Sequence, residues 1–213
     1  NMRKESFVNG EYYHIYNRGT DKRTIFPDNF SFIRFLKSMD EFNSIEPIGS
    51  IYENKFRKDQ LGNLVSKPKL VNFICFCLNP NHFHFLLEQV ADRGIEKFMH
   101  RIGLGYTKYF NQKFERSGAL FQGTFKAKPV TSNEYLLHLS AYINLNDRVH
   151  RLGNLVSKSS WDDYMGVTNL EVISCKKDII LDQFKKIKEY NEFAQEALNI
   201  IRNRKDMEDL LLE

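Results

Sequence analysis

Two histidines one residue apart, His82 and His84, stand in the apolar stretch NPNHFHFLLEQ at 79–89. The stretch is typical of a β-strand, in which alternate side chains share a face, so both imidazoles should point the same way. Two neutral imidazoles at this spacing can bind one metal ion. The pair supplies only two ligands, so a metal site needs a third from elsewhere in the chain. The alternative is two surface histidines on an open sheet face.

A second candidate lies in YLLHLSAYINLNDRVH at 135–150, which is predicted to be helical. Tyr142 and Asn146 are four residues apart and would lie side by side on one helix face. Asn146 could give a metal ion a neutral amide oxygen. The Tyr142 phenol is a poor nucleophile at its usual pKa of about 10. Beside a divalent cation, it could attack phosphorus and form a covalent ester.

Other tyrosines compete for this role, and tyrosines in helices usually only pack. Tyr106, Tyr109 and Tyr135 have no metal-ligand side chain at the fourth position after them, whereas Tyr142 has Asn146. Imidazole and amide ligands, with water completing the shell, suit Mg²⁺ or Mn²⁺. Asn144 is a nearby polar residue, but two positions after the tyrosine it points off its face.

The stretch 97–128 is basic and rich in aromatic residues. Seven Lys and Arg against one acid give a local charge of +6, more than the +4 of the whole chain. Such a mixture suits single-stranded nucleic acid, because cations follow phosphates and rings stack on bases. The alternative is a solvated helix face above a core. The candidate DNA contacts are Arg18, Lys108, Lys113, Arg116, Lys126 and Lys128.

The composition indicates one globular core. Of the 213 residues, 42% are hydrophobic and 27% charged, as in ordinary soluble domains. No apolar run is long enough to span a membrane. The three cysteines form no paired framework, and we expect a reducing, cytoplasmic setting without a membrane partner.

The element order predicts the fold class, which is α+β. A ferredoxin-like β-α-β-β-α-β antiparallel sheet should carry an added helix with the tyrosine and a C-terminal helical extension. We place the main domain at 1–150 and the extension at 151–213. The repeated LGNLVSK, at 61–67 and 152–158, has no physical explanation. The predicted elements are strands at 11–19, 70–80, 82–90 and 119–130, and helices at 28–42, 95–115 and 133–148.

Four blocks of the sequence together resemble the single-tyrosine HUH transposases, in particular the REP-associated tyrosine transposase branch. They are YHIYNRGT, LNPNHFHFLLEQ, YTKYFNQKFERSGALFQGTFKAKPV and YLLHLSAYINLN, in this order between about residues 11 and 150. HUH denotes two histidines around a bulky hydrophobic residue. The tyrosine helix of the branch commonly reads Y-I-x-x-N-P, and here Asp147 stands where proline is usual.

The resemblance implies a function. Members cleave single-stranded DNA by tyrosine attack, which leaves a 5′-phosphotyrosine and a free 3′-OH, at sites associated with DNA hairpins. It assigns Tyr142 as nucleophile and His82, His84 and Asn146 as ligands of Mg²⁺ or Mn²⁺, in a homodimer. One alternative is a regulator of the same fold that binds DNA hairpins without cleaving them. Another is a structural metal-binding or RNA-binding ferredoxin-like module, in which Tyr142 has no role.

Overall fold

The structure, a computed structural model, describes residues 6–46, 68–152, 157–167 and 173–210. The first LGNLVSK copy and most of the second lie outside these ranges. The strands are β1 (Tyr12–Arg18), β2 (Val71–Asn79), β3 (His82–Gln89), β4 (Lys126–Pro129) and β5 (Lys158–Ser159). The helices are α1 (Asn29–Glu41), α2 (Gly94–Lys113), α3 (Asn133–Asn144), α4 (Asn146–Val149), α5 (Trp161–Tyr164), α6 (Asp178–Leu181) and α7 (Ile187–Leu210), with a 3₁₀ turn at Thr20–Lys22.

The five strands form one antiparallel sheet in the order β4-β1-β3-β2-β5. The first four strands have the ferredoxin-like order, so the predicted fold class is confirmed. The central strand β3 pairs with β1 on one side and β2 on the other. The central position of β3 places residues of β1 on one side of the two histidines and residues of β2 on the other.

Each face of the sheet carries its own layer of helices. On one face, Phe83 and Phe85 pack with the apolar sides of α1 and α2 in an aromatic core. On the opposite face, Leu86 and neighbouring β2 residues pack under α3 and α7 in a second core. The tyrosine helix therefore covers the face that the two histidines share. In the described ranges, no helix combines the length and the apolar character needed to cross a membrane.

Local signals place the helix starts. Asp28 caps α1, since its Oδ1 accepts a hydrogen bond from the Ser31 backbone N at 2.7 Å. Ser132 caps α3 in the same way, its Oγ accepting from the Tyr135 backbone N at 3.1 Å. Both caps agree with the sequence, because a short polar side chain satisfies backbone N–H groups that the first turn leaves unpaired.

Two predicted elements differ in extent. The strand predicted at 119–130 is reduced to β4, because Gly123 has a positive φ of 66° and interrupts the extended chain. The helix predicted at 133–148 is divided at Leu145, whose φ of −108° and ψ of 18° end α3 before α4 begins. Tyr142 and Asn146 therefore lie on opposite sides of a helix break.

The C-terminal part is closely packed on the rest of the chain. β5 pairs with the edge of β2, and Tyr190 of α7 is fully buried against α3. Its hydroxyl lies 3.1 Å from both Ser140 Oγ and Asn144 Nδ2. α7 thus supports the helix that carries Tyr142. The division into domains at residue 150 stays a prediction.

Candidate active site

The two histidines of β3 share one face of the sheet, as their spacing predicts. The His84 ring is buried, and its Nδ1 is 2.9 Å from Nε2 of His14 on β1. Burial lowers the pKa of His84 well below its usual value, with His14 and His82 acting in the same direction. Burial and Lys128 lower the pKa of His14 to about 4. Both rings are neutral at neutral pH, the state in which imidazole binds metal ions.

His82 is oriented by three amide side chains. Its Nδ1 is 2.6 Å from Asn81 Oδ1, which can only accept, so this nitrogen carries the proton. When the ring has one proton, Nε2 is left with a lone pair. Nε2 lies 3.0 Å from Asn79 Nδ2 and 3.1 Å from Asn146 Oδ1. The His82 nitrogen that is left free of a proton, and is thus the one able to bind a metal ion, therefore lies beside the predicted amide ligand.

Tyr142 reaches the same place from α3. Its ring meets the His84 ring edge-on, with the two centroids 5.6 Å apart. Burial raises the pKa of the Tyr142 phenol. The Asn146 amide acts in the opposite direction and lowers the pKa of Tyr142. Within the described residues, Asn146 Nδ2 makes no hydrogen bond of normal geometry. The phenol is thus protonated at neutral pH and needs assistance to act as a nucleophile.

The side chains at this point fit a small divalent cation. In the described part of the chain, no three His, Cys, Asp or Glu side chains converge to hold a metal ion. An amide oxygen would complete a site with the two imidazoles, and Asn146 presents one beside His82. The 3.1 Å between His82 Nε2 and Asn146 Oδ1 matches the spacing of about 3.0 Å between adjacent octahedral ligands at about 2.1 Å from Mg²⁺.

A cavity of about 560 Å³ opens over these residues, within the range of roughly 300–1,000 Å³ that is common for ligand sites. His82, His84 and Tyr142 line it, and Arg18 and Lys126 lie at its rim. Lys22 and His150 also line it. A groove of about 1,050 Å³ between α2 and residues 119–125 is larger. We assign no chemistry to that groove, because none of the predicted catalytic or metal-binding side chains lines it.

The candidate DNA-binding residues separate into two groups. Arg18 stands opposite His82 in the sheet, and Lys126 and Lys128 stand opposite Tyr16 and His14, so these three cations share the histidine face. The other three lie beyond the opposite face, on α2 or just after it. There Lys108 is exposed, Lys113 pairs with Asp28 at 2.8 Å, and Arg116 donates to the Ala119 carbonyl at 3.1 Å. Contact with DNA stays a prediction for all six.

Three residues of the site were not predicted. His14 was missed because its contact with His84 depends on the pairing of β1 with β3, which no local pattern reveals. Asn79 was predicted only as part of the strand at 70–80, with no role in the site, although its side chain is fully buried. His150 follows the tyrosine helix, and its ring centroid lies 4.9 Å from that of His82. A signal for Asn79 did exist, since it directly precedes the turn into the histidine strand.

Fold and site together define a ferredoxin-like domain whose central strand presents two histidines to a tyrosine helix. Comparison with known families agrees: a family model described as transposase IS200 like matches residues 53–146, which include His82, His84, Tyr142 and Asn146. The resemblance predicted from the sequence is confirmed, since this stretch of the chain is similar to the IS200-like transposases.

A solved structure shares the fold. It is described as the structure of a REP-associated tyrosine transposase bound to a REP hairpin, and it superposes with a TM-score of 0.52 at 10% sequence identity. The match covers 82% of this chain and 97% of that chain. No curated protein matches the sequence.

Proposed function

We propose that the protein cleaves and rejoins single-stranded DNA at sites associated with hairpins, with Tyr142 as the nucleophile. One observation carries the proposal: Tyr142, His82 and His84 line one cavity with cations at its rim, and the buried Asn146 Oδ1 lies 3.1 Å from His82 Nε2. The family match and a structural relative described as bound to a REP hairpin support DNA as the partner.

The proposed reaction is a transesterification. The Tyr142 phenolic oxygen forms a bond to phosphorus while the bond from phosphorus to the 3′ oxygen of the preceding nucleotide breaks. The phenol loses its proton, and the departing 3′ oxygen gains one. The products are a 5′-phosphotyrosine and a 3′-OH. Because one phosphodiester replaces another, the 3′-OH can attack in reverse and reseal a strand without a nucleotide cofactor.

Burial of Tyr142 supports the proposal that the reaction uses Mg²⁺ or Mn²⁺. The raised pKa of Tyr142 disfavours the phenolate that must attack. A cation bound by His82, His84 and Asn146 would polarise the phosphoryl oxygen and stabilise the developing charge. Arg18 and Lys126 at the rim would hold the flanking phosphates. We further propose that the protein acts as a homodimer.

The test is covalent trapping. The protein is incubated with Mn²⁺ and 5′- or 3′-labelled single strands that contain the hairpins flanking its own gene, and adducts are resolved on a denaturing gel. The wild type should give an adduct that retains the 3′ label. Tyr142→Phe should give none. Tyr135→Phe, on the same helix but outside the cavity lining, should behave as wild type.

Two results would count against the proposal. An adduct in Tyr142→Phe would move the nucleophile to another residue. Tight hairpin binding without any adduct, in strands shown to contain the binding site, would instead identify a regulator that binds DNA and does not cleave it.

A further inference from the structure

The Asn79 side chain faces the point where two proposed metal ligands converge. Asn79 ends β2, directly opposite His82 in the ladder, and is fully buried. Its Nδ2 lies 3.0 Å from His82 Nε2 and 2.7 Å from Asn146 Oδ1. Those two atoms are 3.1 Å apart. Three polar atoms on three different elements thus form a nearly equilateral triangle.

This triangle has the dimensions of one face of a metal octahedron. Ligands at about 2.1 Å from Mg²⁺ and at right angles are about 3.0 Å apart. We propose that Asn79 is a further metal ligand, which binds through Oδ1 after its amide turns by half a rotation. The inference rests on the proposed metal site and adds to it a side chain that lies outside the His-x-His and tyrosine-helix motifs.

The orientation of the Asn79 amide is the one that its two neighbours favour. His82 Nε2 and Asn146 Oδ1 both present lone pairs, so an inward NH₂ group satisfies both, whereas an inward oxygen would face two acceptors. A cation reverses this preference, because it attracts all three lone pairs. The Asn79 amide would therefore turn its oxygen inward when the ion binds.

The rotation costs little on the other side of the amide. Among the described residues, Asn79 Oδ1 accepts only from Cys77 Sγ, 3.6 Å away, and a thiol is a weak donor. After rotation, the NH₂ group would face the sulfur, which can act as a weak acceptor. No strong hydrogen bond of Oδ1 is lost.

A second amide ligand also has a chemical consequence. Imidazole and amide ligands are neutral, and no acidic side chain completes a metal cluster in the described ranges. The bound cation would keep its full charge of +2 for the phosphate. Such a site should bind its ion weakly when DNA is absent, because no carboxylate contributes to the affinity.

Binding of Mn²⁺ alone, followed by electron paramagnetic resonance and calorimetry without DNA, tests the inference. Asn79→Asp places an anionic oxygen at the same point and should tighten binding at least tenfold. Asn79→Leu, of similar size but without ligand atoms, should weaken it at least tenfold. Asn72→Leu, on the same strand and bonded instead to Glu88, should bind as wild type. Thermal unfolding in EDTA checks that each variant is folded.

The signs of these changes separate the possible roles. If Asn79 only donates hydrogen bonds, Asn79→Asp removes both donors and binding does not tighten, which overturns the inference. If Asn79→Leu fails to fold, the Asp variant alone decides. A crystal structure with Mn²⁺ should place the ion about 2.2 Å from Asn79 Oδ1, and a separation beyond 3 Å would refute direct ligation.

His82→Ala distinguishes failure of this inference from failure of the proposed function. If His82→Ala abolishes Mn²⁺ binding but Asn79→Asp does not tighten it, the proposed site stands without Asn79. If His82→Ala leaves binding unchanged, the proposed metal site and the role of Asn79 are both refuted.

Discussion

The buried His14 should make the stability of the protein depend strongly on pH. The His14 side chain is 7% exposed and hydrogen-bonded to His84. Burial lowers the pKa of His14 from 6.5 to about 4. The folded protein holds the ring neutral, whereas the unfolded chain takes up a proton below pH 6.5. Stability is therefore greatest above that pH and falls as the pH decreases towards 4.

The magnitude follows from the two pKa values. The difference between 6.5 and about 4 corresponds to about 3.4 kcal/mol at 1.36 kcal/mol for each pH unit. By pH 5, about 2 kcal/mol of this should already be lost. In His14→Gln, which keeps polar atoms but does not titrate, this part of the pH dependence should disappear.

Urea unfolding at pH 8 and pH 5 measures the effect. From pH 8 to pH 5, the free energy of unfolding of the wild type should decrease by about 2 kcal/mol more than that of His14→Gln. His100→Gln, at an exposed position of α2, should follow the wild type. Equal pH dependence in His14→Gln and the wild type would show that His14 is not held neutral by burial.

Three further predictions concern stability and are measured by thermal or urea unfolding. Burial raises the pKa of Asp147, one of whose oxygens has no hydrogen-bond partner in the described residues. Because a raised carboxyl pKa costs stability as the pH rises, Asp147→Asn should stabilise the protein more at pH 7 than at pH 3.5; equal effects would refute this. A Cβ at Gly105 would lie 2.6 Å from the Phe42 ring, whereas one at Gly103 meets nothing within 4 Å. Gly105→Ala should therefore lower the free energy of unfolding by about 1–3 kcal/mol, and Gly103→Ala should raise it by about 0.5–1 kcal/mol. Equal effects of the two substitutions would contradict the packing argument. Tyr190→Phe removes the hydroxyl that contacts two polar side chains of α3 and should cost about 1–2 kcal/mol, so unchanged stability would show that these contacts do not hold the tyrosine helix.

The sequence predicts the parts of the fold that depend on local pattern. Alternation along 82–89 correctly separates the two histidines from Phe83 and Phe85, because the period of a strand is two residues. The caps at Asp28 and Ser132 are local features too, because each side chain accepts a hydrogen bond from a backbone N within one turn. The order of elements was enough to predict the ferredoxin-like sheet.

Features that depend on contacts between distant segments were missed. The His14–His84 bond joins residues 70 positions apart, and Asn79 meets Asn146 across 67 positions. No periodicity links such pairs, since they arise only when β1 pairs with β3 and α4 packs on β2. The helix break at Leu145 was also missed, because leucine favours helices and the interruption is a tertiary effect.

The alternating composition of β3 links correct folding to the formation of the site. A shift of its pairing by one residue would turn His82 and His84 into the aromatic core and Phe83 and Phe85 towards the cavity. Both changes are costly, since imidazoles would lose their polar partners and phenyl rings would face water. The hydrophobic free energy that fixes the register of β3 therefore also fixes the positions of the two histidines, and no separate step is needed to bring them together.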